Sequence, residues 1–233
     1  MRLQLLKPLR GWSEFSGEVG IIVLGVLIAL GAQQVVQEIQ EREDIAQLRS
    51  AFRAELADDR ARWEDMRASD PCTLKRLDAI ESWAATAPVQ ARLVRPFRLM
   101  LWNMHSSAWD IAKASPAAAR ISLDERLTYA ELYAAIDNWR EYFAEERVNA
   151  ITLSALLESA DQPESRRQIK FHVAKARVLR RRRAENYPYF FTRFDALKIR
   201  PDASQLTIAR DPKALCAPLV EATNRESPGS SQG

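Results

Sequence analysis

Three observations predict an all-α fold: only seven glycines punctuate 233 residues, apolar side chains recur at three- and four-residue steps, and one early stretch is apolar throughout. That stretch is Val19 to Val36, VGIIVLGVLIALGAQQVV. The expected architecture is an N-terminal transmembrane helix that continues into a stalk and then an extramembrane antiparallel helical bundle. At 47% hydrophobic and 28% charged, the remainder suits one domain with a real core and argues against an all-β fold. A net charge of +3 is too small to imply nucleic-acid binding.

Residues 1–18 are expected to form a short cytoplasmic tail. The span follows, with Val19 and Val36 at its ends and Gly25 and Ala29 within it. As a helix it covers about 27 Å, close to a hydrocarbon core of about 30 Å. Glu18 belongs at the membrane rim, where a carboxylate costs far less than at mid-bilayer. Signal-peptide cleavage is the rival, since Arg2, Lys7 and Arg10 make a basic start and Ala29-Leu30-Gly31 offers small residues to a peptidase. Two features weigh against it. Glu14 and Glu18 are acids where signal peptides seldom carry them, and the helical pattern runs on into Gln37–Arg67 with no Gly or Pro.

Gly17-Glu18, Gly25, Leu27-Ile28-Ala29-Leu30 and the amide pair Gln33-Gln34 resemble the N-terminal signature of a family of uncharacterised single-span bacterial membrane proteins. The resemblance covers about a twelfth of the chain. It implies an uncleaved anchor and a helical extramembrane domain, and no activity. Val35 and Val36 stand where members of that family tend to carry Trp.

Basic residues set orientation. Arg2, Lys7 and Arg10 precede the span; Arg42 and Arg49 follow it among Glu38, Glu41, Glu43 and Asp44. The bias places the N-terminus inside, so the expected location is the bacterial inner membrane, single-pass, with the bulk of the chain periplasmic.

Residues 37–200 are expected to be the periplasmic bundle. Ile45, Leu48, Phe52, Leu56, Trp63 and Met66 continue the helix as an amphipathic stalk, interrupted at Asp59. Asp70-Pro71 is expected to break it, with Asp70 as cap, before a second helix over Cys72–Ala87 that carries Leu74, Leu77, Ile80 and Trp83. Pro88 ends that helix. Phe97 to Ala114 is rich in Phe, Leu, Met and Trp and should be core. Met100, Met104 and His105 suit Cu(I), but methionines filling gaps beside Trp102 explain them as well, and no metal site is assigned. From Asp124 to Ser159 a long helix is expected, with Tyr129, Leu132, Ile136, Trp139, Phe143, Ala150, Leu153 and Leu157 on its apolar stripe and Glu146 interrupting. A turn at Asp161–Glu164 leads to its antiparallel partner through Ile169, His172, Ala176 and Leu179. Pro188 should kink or restart that helix. Residues 201–226 read as an irregular C-terminal segment and 227–233 as a disordered tail.

Two groups invite a function. Cys72 and Cys216 could form one disulfide in an oxidising compartment or remain two buried thiols. The run Arg180-Arg181-Arg182-Arg183, with Arg177 before it, could present an anionic-ligand patch of Arg177, Arg180, Arg181 and Arg182 to phospholipid head groups, lipopolysaccharide or an acidic partner. Alternatively, a hairpin turning near residues 161–163 sets Glu141, Glu145 and Glu146 opposite Arg177 to Arg182, and salt bridges absorb the charge. Arg183 falls on the apolar spacing after Leu179 and should bury its stem.

No catalytic residues are assigned, because the chain lacks HExxH, GxSxG, CxxC and a Gly-rich phosphate loop, and no cofactor is expected. The expected partners are the lipid bilayer and a protein partner or a second copy, with no nucleic acid. A ligand-sensing bundle is the other class, with Glu146 and His172 converging in a cavity.

Overall fold

The structure, a computed structural model, describes residues 12–88 and 103–206. Among them are five α-helices and no strand: α1 (Trp12–Thr86), α2 (Ser107–Lys113), α3 (Pro116–Arg120), α4 (Leu123–Glu158) and α5 (Pro163–Ala196). The chain divides into two compact units, Met1–Arg49 and Ser50–Gly233. This division falls later than Val36, because the first buried residue is Phe52.

In the first unit, α1 is long and apolar enough to cross a membrane, and none of its apolar window is buried. Successive positions Ile21, Ile22, Val23 and Leu24 are each at least 50% exposed, so at 100° per residue every face of the helix is apolar and uncovered. Gly25 has open space around it, as do Gly17, Gly20 and Gly31.

The second unit is a helical bundle built on residues 50–86 of α1, on α4 and on α5. The turn between α4 and α5 is closed by the Gln162 amide donating to the Ser159 carbonyl at 3.0 Å and by the Ser159 and Ser165 hydroxyls at 2.9 Å. Leu77, Ile80 and Trp83 pack with Leu153, Leu157, Ala160, Ile169, Val173 and Ala176 at this end. Further along, Trp63 stacks on Phe190 with ring centres 4.0 Å apart and meets Trp139, Phe143 and Tyr187 edge-on. At the far end Phe52 meets Tyr129 and Trp109, and Trp109 stacks on Tyr133. Such pairs add about 0.5–1.5 kcal/mol each beyond area burial.

Local signals explain the starts of the later helices. Ser115 caps α3 by accepting from the Ala117 amide ahead of Pro116, and Ser122 caps α4 by accepting from the Glu125 amide. The end of α5 carries a Schellman motif: the Ile199 amide donates to the Phe194 carbonyl and the Lys198 amide to that of Asp195. Lys198 takes the left-handed conformation there, with φ of 56°.

Four expectations are corrected. Asp70-Pro71 does not break the helix; α1 continues through Pro71 to Thr86. Likewise α5 passes Pro188 without ending or restarting. The reason is shared. Each proline sits on an exposed face, and Arg67 and Ala184, whose carbonyls lose a donor, are exposed too, so water can solvate them. Buried neighbours on both sides, Met66 and Leu77 in one case and Tyr187 and Phe190 in the other, keep the helix packed across the gap. Leu74 is not on the buried face with Leu77, Ile80 and Trp83 but exposed. The core expected over Phe97–Ala114 is partial: Met104 and Ala112 are buried, Ile111 is 72% exposed, and Phe97 to Trp102 lie outside the described residues. The irregular C-terminal segment is described only through Leu206, and residues 227–233 lie outside.

Candidate functional site: a buried arginine–carboxylate cluster

An α-helix turns 100° per residue, so four consecutive arginines cannot share one environment. Arg183 points inward and is fully buried. Its Nη1 donates to both carboxylate oxygens of Glu146 at 2.6 and 2.5 Å, its Nη2 to Asp70, and its Nε to the Tyr187 hydroxyl at 3.2 Å. Tyr187 in turn donates to Asp70 Oδ2 at 2.6 Å. Arg180, one turn earlier on the same face, donates to Asp70 Oδ1 at 3.1 Å and lies 3.8 Å from Glu146. α1 supplies Asp70, α4 supplies Glu146 and α5 supplies the rest. Two buried positive charges therefore face two negative ones, one from each neighbouring helix.

The electrostatics follow the pairing. Burial opposes the charge on Arg183, but Glu146 and Asp70 outweigh it and hold the guanidinium above its ordinary range. Arg180 is pushed down by burial and by Arg183 beside it, against the pull of Glu146 and Asp70. Burial, with Asp70 adding to it, raises the Tyr187 phenol, which stays a donor.

The proposed patch of Arg177, Arg180, Arg181 and Arg182 is thus taken apart by helix geometry. Arg177 faces α1 and pairs with Asp78 at 2.7 Å and Glu81 at 2.6 Å. Arg180 is buried in the cluster, Arg181 is exposed, and Arg182 lies over the Tyr142 ring at 5.4 Å. The alternative, three glutamates of α4 bridging to Arg177–Arg182, is realised only at Glu146. Glu145 takes Lys175 at 2.9 Å, and Glu141 points to solvent. Glu146 and His172 do not converge: His172 Nδ1 meets Asn149 Oδ1 at 2.8 Å, and Asn149 Nδ2 donates to the His172 carbonyl at 3.1 Å.

Asp70 is the residue sequence reasoning missed, because an Asp before Pro reads as a cap. A signal was present. Asp70 falls on the same three-four spacing as Trp63, Met66 and Leu77, and a carboxylate on an apolar stripe needs a buried partner.

A second polar station lies nearer Phe52. Asp59 is fully buried and accepts from the His105 amide at 3.0 and 3.2 Å and from Arg62 at 3.0 Å. Glu55, one turn before it, accepts from the Ala108 amide at 3.1 and 3.2 Å. Together they hold the start of α2, whose Ser106 makes no side-chain cap. Burial pushes the Asp59 carboxyl up to about 7, although the His105 amide and Arg62 pull the other way.

Cys72 is disulfide-bonded, and Cys216 lies outside the described residues. Of Met100, Met104 and His105, Met104 is buried, the His105 amide serves Asp59, and Met100 lies outside the described residues. Compared with protein-family models, curated proteins and solved structures, the chain matches none.

Proposed function

We propose that this chain is a single-pass membrane protein whose helical unit serves as an interaction module of the bacterial envelope. The observation that carries the reading is the apolar surface of α1 between Val19 and Val36, uncovered on every face. Exposed apolar area of that extent is stable in hydrocarbon and unfavourable in water. The basic residues ahead of it favour a cytoplasmic N-terminus, which puts the unit from Ser50 onward in the periplasm. There the bundle acts by contact with protein or envelope components. The buried arginine–carboxylate cluster supports a scaffold role, since its charges are spent on holding three helices in register and are not offered to a ligand.

The test is topological. A reporter fused after Gly233 should be active only outside the cytoplasm, and the native chain should stay in the membrane fraction at full length. A soluble form beginning near Ala32 would replace the anchor by a cleaved signal peptide. Cross-linking in intact membranes then identifies the partner.

A further inference from the structure

We propose that the groove between residues 78–85 of α1 and residues 166–177 of α5 binds a phosphate-bearing anion, an inference that goes beyond the interaction reading and does not depend on it. The groove encloses about 610 Å³. Its α1 wall is made of Ser82, Ala84 and Ala85, whose short side chains leave the space open. Its α5 wall carries Arg166, Lys170 and Arg177, positions four and seven residues apart and therefore on one helix face.

These cations are not equivalent. Arg177 is neutralised and oriented by Asp78 and Glu81 at 2.7 and 2.6 Å, which also accounts for both acids of the lining. Arg167 is paired with Glu164. Arg166 donates to three backbone carbonyls, Ala160 at 2.7 Å, Ala87 at 2.5 Å and Pro88 at 2.6 Å, and its guanidinium lies 5.2 Å from the centre of the Trp83 ring. Carbonyls fix its position but do not cancel its charge, and it has no carboxylate partner among the described residues. Three of its five N–H groups are used, so two remain. Lys170, one turn along, is exposed and has no ion pair among the described residues. A fixed guanidinium with free N–H groups beside a mobile ammonium, above a wall of small side chains, matches the oxygens of a phosphate.

Phosphate chemistry could arrive as a free ion or as a lipid headgroup, and the experiment separates them. Full-length protein in dodecyl maltoside is titrated calorimetrically with inorganic phosphate, with dihexanoyl phosphatidylglycerol below its micelle concentration, and with the zwitterionic dihexanoyl phosphatidylcholine, at constant ionic strength. Lys170→Glu and Ala85→Phe are the variants; both positions are exposed, so the fold is retained, as circular dichroism checks. Binding of phosphate and phosphatidylglycerol alike, weakened about tenfold by Lys170→Glu and lost when Ala85→Phe fills the groove, supports a site for the anion itself. Binding of phosphatidylglycerol alone, with the same response to both variants, supports a headgroup site. No binding of either probe, equal binding of the phosphatidylcholine, or binding unmoved by both variants overturns the proposal.

Discussion

Asp70 and Asp59 lie about three turns apart on one buried face of α1, both removed from water, but they are compensated in different ways. Asp70 meets two arginines and a tyrosine, and Glu146 completes a neutral set drawn from three helices. Asp59 meets one arginine of its own helix and a backbone amide, with Glu55 and Asp58 adding negative charge nearby. The matched set keeps its charges at neutral pH, whereas the unmatched carboxyl is pushed up to about 7. Burial alone does not decide whether a charge survives in a core; the count and placement of its partners does.

The largest effect should come from breaking the matched set. Arg183→Leu leaves Asp70 and Glu146 with Arg180 alone and should cost about 3–5 kcal/mol in denaturant unfolding of the detergent-solubilised protein. Replacing Asp70, Glu146, Arg180 and Arg183 together by apolar residues should recover most of that loss. If the quadruple variant is as unstable as the single one, the cluster acts through something other than charge matching.

Asp59 sets the next effect. Its folded pKa lies above the unfolded value of 3.8, so between about pH 4 and pH 7 the native state holds a proton that the unfolded chain has released. Stability fully present below pH 4 should therefore fall as the pH rises through 7, by about 4 kcal/mol at most at roughly 1.4 kcal/mol per unit. Asp59→Asn should flatten the curve, while Arg183→Leu should lower it without moving its pH dependence. A wild-type curve flat over that window would remove the distinction between the two stations.

Cys72 stands two positions beyond Asp70 and offers a third handle. Mass spectrometry of unreduced protein from an oxidising compartment should recover a peptide linking Cys72 to Cys216. Changing both to Ser should lower stability by about 2–4 kcal/mol and leave the pH profile unchanged, because a long closed loop acts mainly on the unfolded chain. Smallest is the control at Lys198, remote in sequence from both stations, where Gly should stabilise by about 1 kcal/mol by relieving the left-handed backbone.

Much of this molecule was legible in its residues. The apolar run of α1, the paired helices α4 and α5, their buried stripes and the serine and proline signals at helix starts all rest on rules that act within a turn or two of backbone. The anomalies were legible too. Asp59 and Glu146 showed as interruptions of apolar stripes and Arg183 as a cation on an apolar spacing, and all three are buried or nearly so among polar partners.

What the residues did not disclose was which anomaly meets which. Glu146 was expected to serve Arg177–Arg182 and instead binds Arg183 chiefly, because the third helix brings Asp70 and the arginines divide between two neighbours. Local sequence determines which face of a helix is apolar and where a charge breaks it; the partner of that charge depends on how three faces rotate to fill one core, which only the packed structure decides. The same reasoning covers Pro71 and Pro188. Each costs its helix a hydrogen bond by its own chemistry, but whether the helix survives depends on tertiary packing on either side.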